Sequence, residues 1–496
     1  MQRELHPMAA WLRETVTLSA ELTTDSRAVE KGDVFFAYPG ASHDGRAFIP
    51  DAIRQGAAAV VWEADGFSWD ASWPVAQRSQ SGLKLDLSLI AAQWYGEPSK
   101  SLHSIGITGT SGKTSCALWI AQAFAALGHR PILVGTLGTG FLNKLSETGL
   151  TTPDPISLQR ALSRMVRQGA DVLAMEVSSV GLAEARVDGM RYNIALFTNL
   201  SRDHLDYHHT MQAYEVAKSR LFAWGELATA VVNLDDASGE RMGTIARTHG
   251  ARVWGFSASA HPRADLCAHS VKATTTGLEF IFEGAFGSRP FQIDVLGDYN
   301  VSNLLAVLCV LLASNIEIDM ALEALQGLTP VPGRLERVPS AEGPLVLVDY
   351  AHKPDALEHV LVACVPIALA RHGKLVVLFG CGGNRDAGKR PLMGAIAARL
   401  ADRVVVTSDN PRSEDPDTIA AAIVSGIQNT AACVDLEIDR RQAIQHTIAR
   451  AKAEDVILIA GKGHETYQEI EGVKFPFSDT HEAQQALLRW TQDCLC

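Results

Sequence analysis

The sequence predicts an α/β protein of three domains, with mostly parallel sheets in the central and C-terminal domains. A glycine-rich loop separates a strand-like run from a helical pattern within residues 102–127. Apolar runs alternate with helical patterns from residue 336 onward, which is typical of a doubly wound parallel sheet. The turn at 332–334 interrupts the pattern between these regions. The 496 residues allow about three domains, which we expect at 1–100, 101–335 and 336–496.

The central domain is organised around the segment Leu102–Leu127. An alternating run leads into the loop 109–114, with the sequence GTSGKT, and apolar residues then recur at helical spacing. The N–H groups of such a loop and of the helix start favour an anion. We therefore expect ATP here, with Lys113 on the β- and γ-phosphates and the Thr114 hydroxyl on Mg²⁺. The strict loop pattern has its first glycine at a position that Ile107 occupies.

The composition indicates a globular enzyme that binds neither nucleic acid nor membrane. Hydrophobic residues make up 47% of the chain, which allows a large core. The net charge of −12 argues against polyanionic partners. The start of the chain lacks a signal-peptide pattern, and the longest apolar run, Leu304–Ala313, is too short to span a bilayer. Eight scattered cysteines without a C-x-x-C pair argue against a metal-thiolate site, so we expect a reduced cytoplasmic protein.

The N-terminal domain is predicted to contain two strands, Asp33–Ala37 and Ala58–Trp62, around a helix at Phe48–Gln55 that Gly56 ends. Polar clusters lie near Asp25 and near Asp44. Aspartate, serine and glycine are turn residues, so these clusters are interpreted from the residues alone as turns.

In the central domain, polar groups follow predicted strands. Val172–Val177 places Glu176 at a strand end, and His204 lies shortly after the strand Ile194–Phe197. Carboxylates and histidines at strand ends are candidate Mg²⁺ ligands in a chain with a phosphate loop. Lys218 lies beside the apolar stripe of the next helix, and from the residues alone a surface lysine is expected. That helix is predicted to contain Tyr214, Ala217, Lys218, Leu221 and Phe222.

In the C-terminal domain, polar groups again follow predicted strands, and this domain is predicted to be Rossmann-like. Its strands are predicted at 345–350, 374–379, 403–407 and 456–460, with helices at 391–400 and 440–451. A polar cluster follows each strand, and ligands bind at that edge of an open parallel sheet. The four clusters begin at Asp349, Gly380, Asp409 and Gly461.

The sequence resembles the Mur ligases of peptidoglycan synthesis over nearly its whole length. The motifs that carry the resemblance are ITGTSGKTS, TTPDP, EVSS, TNLSRDHLDYH, YEVAKSRLF, GDYNVSN, PGRLE, VDYAHKPDAL, GCGGNRDAGKRPLM, DNPR and GKGHE. The resemblance implies a ligase that uses ATP and Mg²⁺ to phosphorylate the glutamate carboxylate of UDP-N-acetylmuramoyl-L-alanyl-D-glutamate. The amine of meso-diaminopimelate then attacks the acyl phosphate. It also implies a cytoplasmic enzyme, which we expect to be a monomer.

The resemblance also implies residue roles. The catalytic residues would be Lys113, Glu176, His204 and Lys218, and the Mg²⁺ ligands Thr114, Glu176, His204 and a carbamylated Lys218. The nucleotide would contact Gly109, Thr110, Ser111, Gly112, Lys113, Thr114, Ser115, Asn300, Arg334 and Asp349. The N-terminal domain would bind UDP through Thr24, Ser26 and the region 43–45 with His43. The muramoyl-dipeptide would contact Thr151, Thr152, Ser178, Glu184 and Arg186, and the amino acid Arg385, Asp409, Asn410, Pro411, Arg412, Gly461 and Glu465.

Two positions depart from the family pattern. Related enzymes usually have His where this chain has Val180, and often Gln where it has Glu184. Both flank Arg186, so we expect them to retune contacts to the muramoyl-peptide and to leave ATP binding unchanged.

The choice of amino acid is predicted to depend on Arg412. Its planar guanidinium can bind the far carboxylate of diaminopimelate with two hydrogen bonds, and lysine would leave it unpaired. The alternative is a surface pair with Glu414 or Asp415. Other functions left open are a lysine-adding enzyme, a D-Ala-D-Ala-adding or folylpolyglutamate-type ligase, and a nucleotide-binding switch without turnover.

Overall fold

The computed structural model describes residues 4–40, 43–274, 276–340, 342–428 and 431–494. It divides into two compact units. One comprises residues 1–267 and 303–327, and the other residues 268–302 and 328–496. The domain boundaries near residues 100 and 335 stay predictions.

The first unit begins with a four-stranded parallel sheet. Its elements are, in chain order, α1 (Pro7–Thr15), β1 (Leu22–Thr23), β2 (Val34–Ala37), α2 (Ile49–Gln55), β3 (Ala59–Glu63), β4 (Ala76–Gln80) and α3 (Leu83–Trp94). The strands pair in chain order. β2 and β3 are buried along their whole length, because α1 and α3 cover one face, and α2 and the aromatic side chains that follow β3 cover the other. Gly56 ends α2 in the left-handed region, as predicted.

A larger sheet follows in the same unit. Its elements are β5 (His103–Thr108), α4 (Lys113–Ala126), β6 (Pro131–Gly135), β7 (Gly138–Phe141), β8 (Lys144–Ser146), α5 (Pro155–Arg167), β9 (Val172–Glu176), α6 (Ser179–Ala183), β10 (Ile194–Phe197), α7 (Leu205–His208), α8 (Met211–Ser219), β11 (Thr229–Asn233), α9 (Ala237–Thr248) and β12 (Arg252–Ser257). The order β12-β11-β10-β5-β9-β6 is parallel, and β7 and β8 extend it antiparallel. β5 therefore has β10 on one side and β9 on the other, and its end faces the crevice between their loops.

One predicted helix is shorter than expected. α8 ends at Ser219, and Leu221 and Phe222 lie in the turn that follows, although both are fully buried. Leu221 and Phe222 have the spacing of a continuing helix, because a tight turn after a helix can bury apolar side chains on the same side as the helix does.

The chain then passes from one unit to the other and back. The elements are β13 (Leu266–Ala273), β14 (Leu278–Gly284), β15 (Gly287–Ile293), α10 (Tyr299–Ala313) and α11 (Ile318–Gln326). β14 and β15 form an antiparallel hairpin that the sequence did not predict. The predicted apolar helix through Ala313 is α10.

The remaining elements belong to the second unit. They are β16 (Glu336–Arg337), β17 (Leu345–Asp349), α12 (Pro354–Ala370), β18 (Leu375–Phe379), α13 (Lys389–Leu400), β19 (Arg403–Val406), α14 (Pro416–Val424), β20 (Cys433–Leu436), α15 (Arg440–Ala449), β21 (Val456–Ala460), β22 (Tyr467–Ile470), β23 (Val473–Pro476) and α16 (Asp479–Cys494). The sheet order β16-β17-β21-β18-β19-β20 is parallel except for β16, with apolar clusters on both faces. The predicted doubly wound sheet is confirmed. Among the described residues, no helix is long and apolar enough to cross a membrane.

Candidate active site

The glycine-rich loop lies between the end of β5 and the start of α4. Gly109 has a φ of 151°, and a Cβ there would overlap the Thr198 hydroxyl at the end of β10. Gly112 has a φ of 83°, and a Cβ there would lie 2.5 Å from Asn303 Oδ1. Only glycine suits both positions, since a side chain would be strained by the backbone and blocked by neighbours. Ile107 is a buried residue of β5, so the tight part of the loop begins at Gly109.

The loop is held from the side by the residues that follow β10. Asn199 Oδ1 accepts a 2.9 Å hydrogen bond from the Ser111 N–H, and Asn199 Nδ2 donates to the Ser111 carbonyl at 3.1 Å. The Thr198 hydroxyl donates to the same carbonyl at 2.6 Å. The Thr110 N–H donates to the Asn199 carbonyl at 2.9 Å. These contacts attach the loop to the segment that follows β10.

Lys113 lies across this loop. Its ammonium donates to the carbonyls of Gly109 at 2.8 Å and Thr110 at 2.9 Å. The Lys113 ammonium is therefore held over the loop by two carbonyl groups.

Thr114 and Glu176 form the oxygen-rich part of the site. The Thr114 hydroxyl donates to Glu176 Oε2 at 3.1 Å, and Glu176 Oε1 accepts the Thr136 N–H at 2.7 Å. Glu176 is almost fully buried at the end of β9, and a Cβ on Gly135 would overlap its carboxylate. The predicted strand-end position of Glu176 is therefore confirmed.

Lys218 is buried rather than on the surface, so the expectation drawn from the residues alone is wrong. The side chain is 1% exposed, its ammonium donates to the Gly109 carbonyl at 2.8 Å, and it lies 4.4 Å from the centroid of the Tyr214 ring. α8 places it against the loop. The Lys218 ammonium is therefore in direct contact with the glycine-rich loop.

His204 and His208 lie beside Tyr214, with ring centroids 6.1 and 5.3 Å from that of the tyrosine. His204 has a φ of 51°, and its half-exposed ring lies 3.3 Å from Asp203 Oδ2. His208 is buried, and its Nε2 lies 2.9 Å from the Ser179 hydroxyl. Burial and the charge of Lys218 lower the pKa of His208.

The described residues contain no group of three or more His, Cys, Asp or Glu side chains that could hold a metal. Thr114 and Glu176 nevertheless fit Mg²⁺, because their oxygens are hard ligands and lie 3.1 Å apart at the loop. Mg²⁺ is commonly held by one or two carboxylates together with substrate phosphates and water. A pair of this kind suits a metal that arrives with a nucleotide.

The residues predicted to contact the muramoyl-dipeptide form one hydrogen-bonded group. The Thr152 hydroxyl donates to the Glu176 carbonyl at 3.0 Å and accepts the Ser178 N–H at 2.9 Å. Arg186 Nη1 donates to the Thr152 carbonyl at 2.9 Å. The Thr151 hydroxyl lies 3.2 Å from that of Thr136, which itself contacts Glu176. This group is therefore linked to the Glu176 backbone carbonyl directly and to the Glu176 carboxylate through Thr136.

Glu184 pairs with two cations. Its carboxylate accepts hydrogen bonds from Arg186, and Lys84 on α3 donates to it at 3.0 Å. Burial raises the pKa of Glu184, but the bonds from Arg186 and Lys84 outweigh burial and lower it. Burial raises the pKa of the adjacent Tyr38 to about 12, and the charges of Asp154 and Glu184 add to this. Glu184 thus orients Arg186 and connects it to α3.

The predicted UDP-binding residues lie at two turns, as the residues alone indicated. Ser26 is buried and starts a short 3₁₀ helix that the Asp25 carboxylate caps. His43 is exposed, and Asp44 caps the next 3₁₀ helix and pairs with the buried Arg46. Thr24 is half-buried.

The second unit contains the other residues predicted to contact nucleotide. Asp349 is buried at the end of β17 and accepts the N–H groups of Leu335 and Ala351 at 2.7 Å each. Burial raises the pKa of Asp349, and the charge of Arg334 opposes this. Arg334 lies 4.8 Å from the Tyr350 ring centroid. The Asn300 side chain donates to the Leu296 carbonyl at 2.7 Å.

The DNPR and GKGHE segments meet at the carboxyl ends of β19 and β21. Asn410 Nδ2 donates to Glu465 Oε2 at 2.9 Å, and the buried Lys462 ammonium donates to Asn410 Oδ1 at 3.0 Å and to Glu465 Oε2 at 2.9 Å. Gly461 has a φ of 116°, and a Cβ there would lie 2.5 Å from Asp409 Oδ2. Burial raises the pKa of Asp409, opposed by the nearby cations. The predicted cluster is thus brought together.

Arg412 belongs to this cluster, but its partner differs from the alternatives drawn from the sequence. Arg412 Nε donates to Glu469 Oε2 at 3.2 Å and Nη1 to the Gly383 carbonyl at 2.8 Å. Glu414 instead pairs with Arg390, and Asp415 caps α14. Arg385 is exposed on the loop after β18, and Pro411 is buried.

Three family models match the chain: "Mur ligase family, catalytic domain" at residues 20–80, "Mur ligase middle domain" at 107–311, and "Mur ligase, glutamate ligase domain" at 333–463. A ligase from Ralstonia nicotianae named UDP-N-acetylmuramoyl-L-alanyl-D-glutamate--2,6-diaminopimelate ligase is 48% identical, over 97% of this chain and 96% of the relative. The chain belongs to the Mur ligase family. A Pseudomonas putida protein of the same name is also 48% identical to this Mur ligase, over 95% of this chain and 96% of the relative.

Solved structures agree with this assignment. A structure titled with the same ligase name shares 35% identity and a TM-score of 0.68, over 95% of each chain. A MurF structure from Acinetobacter baumannii shares the fold at 19% identity and a TM-score of 0.63, over 89% of this chain and 90% of that one. The predicted three-domain α/β architecture of a Mur ligase is confirmed.

Several residues of this Mur ligase site were not predicted. Lys462 lies in the family motif GKGHE, and His208 lies in DHLDYH. The motifs could have indicated both residues, but their residue types alone did not indicate a role. Asn199 and Thr198 lie in the same run as His204, and could have been found as polar residues after a strand. Lys84 had no signal, since only the fold brings α3 to Glu184.

Proposed function

We propose that this Mur ligase uses ATP to join meso-diaminopimelate to the D-glutamate of UDP-N-acetylmuramoyl-L-alanyl-D-glutamate. The observation that carries the proposal is full-length similarity, at 48% identity, to a relative with that activity in its name. The phosphate loop and the DNPR cluster supply groups suited to each substrate. ATP and a UDP-linked substrate favour a cytoplasmic reaction.

The phosphate loop would bind the nucleotide through its N–H groups and the start of α4. Lys113 would leave the loop carbonyls for the transferred phosphate and stabilise its charge. Thr114, Glu176 and His204 would hold Mg²⁺, which neutralises charge on the phosphates when it is bound. Arg186 and the Thr152 loop would orient the glutamate carboxylate that receives the phosphate. Asn300, Arg334 and Asp349 are proposed as nucleotide contacts.

We further propose that Lys218 is carbamylated in the active enzyme. The ammonium first loses a proton. The neutral amine then attacks CO₂: a C–N bond forms, one C=O π bond of CO₂ breaks, and a second proton leaves the nitrogen, so that a cation becomes a carbamate anion. The support is the burial of Lys218 against the Gly109 carbonyl, where a carbamate would place hard oxygen ligands beside the loop. Lys218→Ala should lose most activity, and short carboxylic acids should restore part of it. Normal turnover by the variant, or a free amine in active enzyme by intact-site mass spectrometry, would refute this.

The amino acid is proposed to be selected by Arg412. Its Nη2 has no protein partner in the described part of the chain, and its side chain is 24% exposed. Since Glu469 already neutralises this guanidinium, lysine does not leave it fully unpaired. We therefore expect a preference for diaminopimelate of about 10- to 100-fold, smaller than for a fully buried unpaired charge.

The test is phosphate release from ATP with the UDP-linked dipeptide and a panel of amino acids. Native enzyme should prefer meso-diaminopimelate to L-lysine in competition, and Arg412→Ala should lose that preference. Equal use of lysine would favour the lysine-adding alternative. Phosphate release independent of any amino acid would favour a nucleotide switch.

A further inference from the structure

The hairpin of β22 and β23 is joined to the DNPR segment. The Arg412 N–H donates to the Glu469 carbonyl at 3.1 Å, and the Glu471 N–H donates to the Arg412 carbonyl at 2.8 Å. The Glu469 N–H also donates to Asn410 Oδ1 at 2.9 Å, and Gln468 Nε2 donates to the Asp409 carbonyl at 2.7 Å. The hairpin is therefore hydrogen-bonded to three of the four DNPR residues, Asp409, Asn410 and Arg412.

The same hairpin also holds the arginine side chain. Glu469 Oε2 binds Nε on one edge of the Arg412 guanidinium, and the Gly383 carbonyl binds Nη1. A Cβ on Gly382 would lie 3.0 Å from Nη1, so the loop after β18 closes the other side. Arg412 itself has a φ of 52°, a backbone conformation that residues other than glycine rarely adopt unless the surrounding structure stabilises it. Together these contacts leave Nη2 as the edge that can meet a ligand carboxylate.

We infer that Glu469 is a positioning residue for Arg412 and that it contributes to the amino-acid specificity of this enzyme through that contact. This inference rests on the proposed function. An arginine side chain has four rotatable bonds, so a carboxylate that fixes its Nε edge reduces the entropy lost when substrate binds. Glu469 acts through Arg412 and is not proposed to contact the reacting amine or ATP.

Glu469→Gln tests the inference, because it keeps the shape and removes the charge. The KM for meso-diaminopimelate should rise about fivefold, as expected for a charged pair whose side chains are 24% and 25% exposed, with kcat within twofold of native. The KM for L-lysine should change little, since lysine has no far carboxylate for Arg412. The KM for ATP should not change.

The matched control is Glu471→Gln. Glu471 is on the same hairpin, its side chain is exposed, and among the described residues that side chain has no hydrogen-bond partner. This variant makes the same change in charge and should have native constants. Glu469→Asp serves if the glutamine variant folds poorly, and should give an intermediate KM.

The decisive measurement is a double-mutant cycle. Glu469→Gln should have no effect in an Arg412→Ala background, because a residue that acts only through Arg412 has nothing left to position. An equal effect in both backgrounds would overturn the inference, as would a lower KM in the single variant, which would mean that Glu469 competes with substrate. Failure of the proposed function is separate: native enzyme would then show no preference for diaminopimelate.

Discussion

Arg440 and Asp479 form the most deeply buried ion pair of the second unit among the described residues, with both side chains at 0% exposure. Arg440 Nε and Nη2 bind the Asp479 carboxylate at 2.7 and 2.8 Å. The same guanidinium donates to the Ser408 carbonyl at 3.2 Å and to the Ala460 carbonyl at 2.9 Å. These carbonyls follow β19 and end β21, the strands that lead into DNPR and GKGHE. One side chain therefore joins the starts of α15 and α16 to the edge of the sheet that carries the site.

Arg440→Met should destabilise this unit by about 3–5 kcal/mol, because it leaves a buried carboxylate without its partner. The double variant Arg440→Met/Asp479→Leu removes that charge and loses the two hydrogen bonds to the carbonyls. At about 0.5–1.5 kcal/mol for each lost hydrogen bond it should cost less, about 1–3 kcal/mol. Both variants should raise the KM for the amino acid, since the DNPR segment follows one of the freed carbonyls.

Hydrogen exchange measured by mass spectrometry on peptides that contain β19 and β21 is the suitable assay, because it reports the stability of this unit alone. A loss of 3 kcal/mol corresponds to exchange faster by roughly two orders of magnitude. Arg441→Met is the control: that neighbouring arginine is 54% exposed and pairs with Glu482 at 3.0 Å, so its loss should cost about 0–1 kcal/mol. If Arg440→Met exchanges no faster than Arg441→Met, or the double variant is the less stable, the reasoning is wrong.

Two further predictions concern the substrate loops. Glu184 has a lowered pKa, so its bonds to Arg186 stabilise the protein fully above the ordinary value of 4.5 and are lost as the pH falls through the lower folded value. The free energy of unfolding in urea should therefore depend less on pH in this acid range for Glu184→Gln than for native protein, and an unchanged dependence would contradict the assignment. Gly461→Ala should raise the KM for the amino acid at least tenfold by forcing a Cβ against Asp409. Gly472→Ala, with a φ of 75° and no atom within 4 Å of the added Cβ, should leave that KM unchanged, and equal effects would show that backbone strain alone is responsible.

Local patterns predicted elements whose residues are neighbours in the chain. Four strands of the six-stranded C-terminal sheet, β17, β18, β19 and β21, were predicted within one residue of their observed bounds, because continuous apolar runs between turn residues suit buried parallel strands. The short edge strands β16 and β20 were not predicted. The loop at 109–114 was predicted for the same reason, since its glycines, its lysine and the following helix are contiguous. The helix α3 was not predicted: its start, LKLDLSL, alternates as a strand would, but packing against α1 and α5 buries Leu83 and Leu87 together on a helix.

The sequence by itself therefore determined the fold class, the phosphate loop and the set of strand ends that carry polar residues. Only the tertiary structure decided which of these residues meet. Lys218 is 109 positions from the carbonyl it binds, Lys84 is 100 positions from Glu184, and Arg412 is 57 positions from Glu469. A lysine or an arginine has the same local pattern whether water or a carboxylate surrounds it. Its burial and its partner depend on how the sheets bring distant loops to one edge, and helical or strand periodicity contains no information about that.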